Sequence, residues 1–140
     1  MCMKTHSTKT NVELPGNIVK SAVDMLQKEG YIVKRNFEYP HKISSDLNVK
    51  YPIYTLDIFA VKKNNIIAIK YENCSEVLSN KTKKLWKALS SKPGVHFHIL
   101  VPSYCSKKAQ IKSRMLNVQV KILCQNNWED SLESSLRNSK

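Results

Sequence analysis

A chain of 140 residues with a formal net charge of +12 holds one domain's worth of sequence and a strong positive field. Its 41% hydrophobic content and visible periodicities exclude a disordered chain. The field attracts polyanions such as nucleic acid or an anionic membrane surface, and no apolar run approaches the ~20 residues needed to cross a bilayer. Arg35, Arg114 and Arg137 are the only arginines, so the charge is almost all lysine. Lysine is a point charge suited to phosphate, whereas arginine is the better fork for base edges. Backbone-directed binding with weak sequence preference is the expectation.

Met1 to Glu13 is polar and reads as a flexible arm, leaving 14–140 as a single domain. The opening MCMKTHSTKT lacks the apolar centre of a secretory leader. Cys2, Cys74, Cys105 and Cys124 show no C-x-x-C spacing, which argues against zinc. Reduced thiols in a cytoplasmic protein are therefore expected.

Pro15-Gly16-Asn17 opens a helix, with Asn17 as N-cap and Ile18, Ala22, Met25 and Leu26 as its inner stripe. Gly30 stands where a C-terminal cap belongs. Tyr31–Phe37 is a first strand, and Glu38–Pro52 is a polar connection carrying His41, Lys42 and two Tyr-Pro pairs. Ile53–Asn73 then reads as a hairpin turning at Lys62-Lys63-Asn64-Asn65, where asparagine tolerates left-handed backbone. Strict alternation puts Tyr54, Leu56, Ile58 and Ala60 on one face, and Thr55, Asp57 and Phe59 on the other. Ile66–Tyr71 is nearly all apolar, as in a strand covered on both faces. Asp57 and Lys70 interrupt this apolar hairpin, and such charges are costly unless they meet each other, a metal or a ligand.

A helix over Ser75–Ser90 follows, with Leu78, Leu85, Trp86 and Leu89 inside and Lys81, Lys83, Lys84 and Lys87 outside, unrelieved by acids. Together with Arg35 and Lys42 these lysines are the candidate phosphate contacts. Val95–Pro102 is a buried strand, Ser106–Met115 a helix, Val118–Leu123 an edge strand and Asn127–Leu136 a final amphipathic helix. His96 and His98 share a strand face; filled strand positions explain them better than a two-histidine metal site, for which no third ligand is in view. The order is αβββαβαβα, which predicts an α/β fold: one mixed sheet of about 4–5 strands flanked by helices.

The passage Ala22, Leu26, Gly30, Tyr31, Val33, Arg35, Asn36, the strand Asp57-Ile58-Phe59-Ala60 and the strand end Ala68-Ile69-Lys70 resemble the PD-(D/E)XK nuclease superfamily. The resemblance spans Pro15 to Pro102 and is closest to the small Holliday-junction-resolvase-like members. It implies a restriction-endonuclease-like sheet and chemistry on DNA. Asp57 would be a ligand of Mg²⁺ (or Mn²⁺), and Lys70 the lysine that orients water or steadies the developing anion. By analogy with resolvases it also implies a homodimer. The chain departs from the family where it matters: Ala68 replaces the usual glutamate of the E-x-K end, and Val19 stands where many members carry a helix-borne glutamate. Glu72 lies on the Ala68/Lys70 face, and it or Glu76 could be a relocated acid, so Asp57, Lys70 and Glu72 form the candidate catalytic set, with Asp57 and Glu72 as metal ligands. The simpler reading of Glu72 is an exposed strand-end carboxylate. Expected function is a nucleic-acid-binding protein with a nuclease-like fold and a degenerate metal site. The alternatives are an active Mg²⁺-dependent endonuclease and a non-catalytic subunit that meets an acidic protein.

Overall fold

The computed structural model describes residues 16–39 and 54–138. The 1–13 arm and Lys42 lie outside the described residues. Helix α1 (Gly16–Lys28) precedes β1 (Ile32–Tyr39), β2 (Tyr54–Lys62) and β3 (Asn65–Tyr71). Next come α2 (Cys74–Leu78), a 3₁₀ turn (Asn80–Thr82) and α3 (Lys83–Ser90). Strand β4 (Val95–Val101), a 3₁₀ turn (Ser103–Cys105), α4 (Ser106–Leu116), β5 (Lys121–Cys124) and α5 (Trp128–Asn138) complete the order. The five strands lie in the order β1-β2-β3-β4-β5, antiparallel through β3 and parallel from β3 to β5. This is the mixed α/β sheet that the alternation of strand and helix patterns predicts.

Helix α1 starts at Gly16, one residue before the expected cap. Its end follows the expectation: Gly30 sits at φ +92°, where its N–H donates to Gln27 O while Tyr31 N–H donates to Leu26 O. At the hairpin turn the left-handed residue is Lys63, at φ +54°, rather than an asparagine. Gly94 is fixed by space as well as by conformation, because a Cβ there would stand 2.6 Å from Asn64 O.

The predicted Ser75–Ser90 helix is broken. Ser79 adopts extended backbone (φ −77°, ψ 142°), and its hydroxyl accepts from Lys81 N–H, so a short α2, a 3₁₀ turn and α3 replace one long helix. A serine that offers its own backbone an alternative partner is the physical cause.

Two apolar layers form. Against one sheet face, α1 and α5 bury Ala22, Leu26, Leu132 and Leu136 over Ile58, Ala60, Ile67 and Ile69. Against the other, α2, α3 and α4 bury Val77, Leu85, Trp86 and Ala109 over Leu56, Ala68, Phe97 and Ile99. Each fully buried leucine contributes roughly 1.5–3 kcal/mol.

Leu56 and Ile58 therefore belong to opposite layers, and strict alternation fails at Asp57. The same switch occurs in β1, where Val33 packs on the first layer and Phe37 on the second. Between them Asn36 takes φ +52°, between the ladder pairs Arg35↔Ile58 and Phe37↔Leu56. The left-handed residue of the edge strand and the change of face in both strands fall at one level, and that level is the one Asp57 occupies.

Candidate nucleic-acid interface and its buried ion cluster

The β2–β3 ladder ends at Ile58↔Ile69, one residue short of Asp57 and Lys70. The Tyr71 N–H beyond it donates to Asp57 Oδ2 at 2.6 Å, so a side chain takes over where the backbone ladder stops. Burial pushes the Asp57 carboxyl above the usual carboxylate range; the Tyr71 N–H and the Lys70 ammonium pull it back, and the Glu76 carboxylate pushes it further up. Lys70 is thus close enough to Asp57 to favour its charge, but the carboxylates that its ammonium contacts are those of Glu72 and Glu76.

Lys70 is tied by two carboxylates. Its Nζ lies 3.4 Å from Glu72 Oε2 and 3.4 Å from Glu76 Oε2. Glu72 is not the exposed strand-end carboxylate of the simple reading: its side chain is 0% exposed. Trp86, from α3, donates its indole Nε1–H to Glu72 Oε2 at 3.0 Å. Glu72 Oε1 is buried without a hydrogen-bond partner. Glu76 forms the capping box of α2: Asn73 Oδ1 accepts from Glu76 N–H, and Glu76 Oε1 accepts from Asn73 N–H.

A divalent cation fits this donor set poorly. Asp57 Oδ2 receives Tyr71 N–H, Glu72 Oε2 receives Trp86 and Lys70, and both Glu76 oxygens are engaged; the orphaned Glu72 Oε1 is one oxygen, too few to hold a divalent ion by itself. Magnesium demands hard oxygens in near-octahedral array, and here the ammonium of Lys70 already neutralises the acids. Among the described residues no three His, Cys, Asp or Glu side chains group as a metal site. His98 is a filled strand position, with Nδ1 3.0 Å from His96 O and Nε2 3.0 Å from Ser135 Oγ.

Lys81, Lys83, Lys84 and Lys87 are exposed on the 3₁₀ turn and α3. The Tyr54 hydroxyl donates to Lys81 O at 2.7 Å and pins the start of that run to β2. Arg35 is exposed too, but on the edge strand β1 and not in the helical layer. The wider charge pattern is lopsided. From Val77 to Trp128 the chain contains no acidic residue, whereas α1 and α5 carry Asp24, Glu129, Asp130 and Glu133. The α2–α4 layer is therefore the positive side of the molecule.

Two features escape a reading by motif. Lys112, on α4, turns inward: its Nζ donates to Thr82 Oγ1 at 2.6 Å and Ser79 O at 3.2 Å, and lies 4.5 Å from the Trp86 ring centre. Burial lowers its pKa and the Glu72 charge opposes that fall. The inner-stripe spacing Cys105, Ala109, Lys112, Leu116 was the available signal. The second feature is a disulfide between Cys74 and Cys105, which corrects the expectation of reduced thiols; it joins the start of α2 to the approach to α4, with Cα atoms 5.2 Å apart. Among the described residues, Cys124 is free.

No helix among the described residues is long and apolar enough to cross a membrane. No family model and no curated protein matches the chain. Among solved structures, the crystal structure of the protein of unknown function AF1548 is similar at 12% identity and a TM-score of 0.48. The match covers 84% of this chain and 64% of that one, so the chain spans less than two thirds of that protein.

Proposed function

We propose that this chain binds nucleic acid, DNA in the first instance, through the phosphate backbone, and that it does not cut it. The observation that carries this reading is the lopsided charge. An acid-free run of the chain from Val77 to Trp128 supplies the exposed lysines of the α2–α4 layer. Glu72 and Glu76, the last two acids before it, are bound to Lys70. Lysines facing solvent with no acid between them attract a polyanion and release its counterions. The absence of cleavage rests on Ala68 and Val19 together with the Lys70 ammonium, which lies against the carboxylates of Glu72 and Glu76. A nuclease-like ancestry follows from the motif resemblance alone and belongs to the same proposal.

The test is anisotropy titration of labelled DNA at several salt concentrations, with a parallel incubation in Mg²⁺ and in Mn²⁺. Expected are an affinity that falls steeply with salt and an intact probe. Salt-indifferent binding, or a cut probe that is spared by Asp57→Asn, overturns the proposal.

A further inference from the structure

We propose that the α2–α4 layer holds the bases, as well as the phosphates, of a single strand; this rests on the nucleic-acid reading above and names its substrate class. Large apolar side chains that stand strongly exposed among the described residues are few, and four of them lie on this one layer. Leu78 is 65% exposed, Tyr104 53%, Ile111 48% and Met115 80%. Tyr104, Lys108, Ile111 and Met115 recur at spacings of four, three and four, so they run along one flank of the 3₁₀ turn and α4. Leu78 ends α2, and the bond from Lys112 to Ser79 O brings that end beside α4. Lys107, Lys108 and Arg114 stand exposed among these apolar groups, with no acid near them in the chain.

Apolar surface left in water is unfavourable unless a partner covers it. The lysines say which partner. A second copy of this chain would bring the same positive charge to the contact. A bilayer needs a broad apolar face, whereas this strip is one side chain wide and Lys108 interrupts it. A single strand meets both demands: its phosphates reach the lysines while its unstacked bases cover Tyr104, Ile111 and Met115. A duplex offers the same phosphates but keeps its bases stacked, and leaves the strip wet.

The experiment compares a labelled oligothymidylate with a duplex of equal length by anisotropy, using the full chain at fixed salt. The variants are Tyr104→Ala and Met115→Ser, both at exposed positions that leave the core untouched. Wild type is expected to bind the single strand more tightly. Tyr104→Ala should weaken the oligothymidylate by about tenfold, and Met115→Ser by less, with the duplex unchanged for both. Equal losses on both probes, or no loss on either, overturn the inference and leave phosphate binding standing. A wild type that binds neither probe overturns the nucleic-acid reading, and this one with it. Flotation with phosphatidylglycerol vesicles is the third arm. Vesicle binding that both variants abolish, with oligothymidylate binding intact, gives the strip to a lipid surface and overturns the inference.

Discussion

Lys70 Nζ and Glu72 Oε2 lie 3.4 Å apart although the two residues belong to one chain segment, two positions along the same side of its path. Ordinary strand geometry separates such side chains by about 6–7 Å, so the two lean toward each other, and Trp86 holds Glu72 in place through its indole N–H. The pair is almost wholly buried, at 8% and 0% side-chain exposure. Removing one partner of such a pair leaves an uncompensated buried charge. Lys70→Met should cost about 3–5 kcal/mol in urea denaturation. Glu72→Gln should cost less, since its amide oxygen still accepts from the Trp86 indole. A Lys70→Met protein as stable as wild type removes the pair from any structural role. Loss of activity on replacing Lys70 is therefore interpretable only beside a stability measurement.

Much of this was legible in the sequence, and the rest was hidden for identifiable reasons. The α1 stripe and the Gly30 cap depend on neighbours within a helix turn. The face switch at Asp57 coincides with Asn36 going left-handed in the adjacent strand; asparagine tolerates that conformation, but nothing in the local pattern marks this one for it. Glu72 looked exposed because its cover comes from Trp86, fourteen residues on and past a broken helix. The Ser79 break had a signal, a serine preceding Asn80 and Lys81, which the strong lysine and leucine periodicity masked. The Cys74–Cys105 bridge closes a separation of 31 residues, and no spacing rule announces it.

The charge asymmetry makes a comparison within one molecule possible. Lys84→Gln and Lys87→Gln lie on the positive layer, whereas Lys20→Gln and Lys28→Gln lie on α1, each four residues from Asp24. Each α3 substitution that removes a phosphate contact should lower the log–log salt slope by about 0.9 on duplex DNA. The α1 pair should leave the slope where it was. Equal effects from both pairs would mean that net charge, and not this layer, drives association.

The bridge between Cys74 and Cys105 ties α2 to α4 across the layer. By loop-closure entropy, a cross-link over 31 residues stabilises by about 3–4 kcal/mol. Cys74→Ser/Cys105→Ser, or wild type in dithiothreitol, should lose that much in urea denaturation. Dithiothreitol should then do nothing further to the double variant. Reduced wild type that matches oxidised wild type in stability refutes the estimate of its strength.

Asp57 is held partly buried with its pKa raised, chiefly by desolvation. Its folded value lies above its unfolded one, so ionisation costs the folded state as pH rises through that window, and the cost persists at neutral pH. Asp57→Asn keeps an oxygen for Tyr71 N–H and drops the buried charge. Thermal denaturation at neutral pH should show a higher midpoint for the variant, and the advantage should shrink in acid. A lower midpoint would mean that Lys70 depends on that carboxylate more than burial penalises it.

His98 moves in the opposite sense. Its Nδ1 faces the acceptor-only His96 carbonyl, so the hydrogen resides on Nδ1, and Nε2 accepts from the Ser135 hydroxyl. Burial lowers its pKa from 6.5 to about 4, with Lys121 and His96 disfavouring the charge further and the His96 carbonyl favouring it. The unfolded chain therefore binds a proton that the folded chain refuses across that interval. Stability from this group is complete above pH 6.5 and disappears as pH falls to about 4, a change of roughly 3 kcal/mol. His98→Asn forfeits packing at every pH, so the readout is the slope: between those two pH values the variant should lose roughly 3 kcal/mol less than wild type. Parallel pH curves for the two proteins would mean that His98 takes up its proton equally well folded and unfolded, and that its contact with Ser135 does not select the neutral ring.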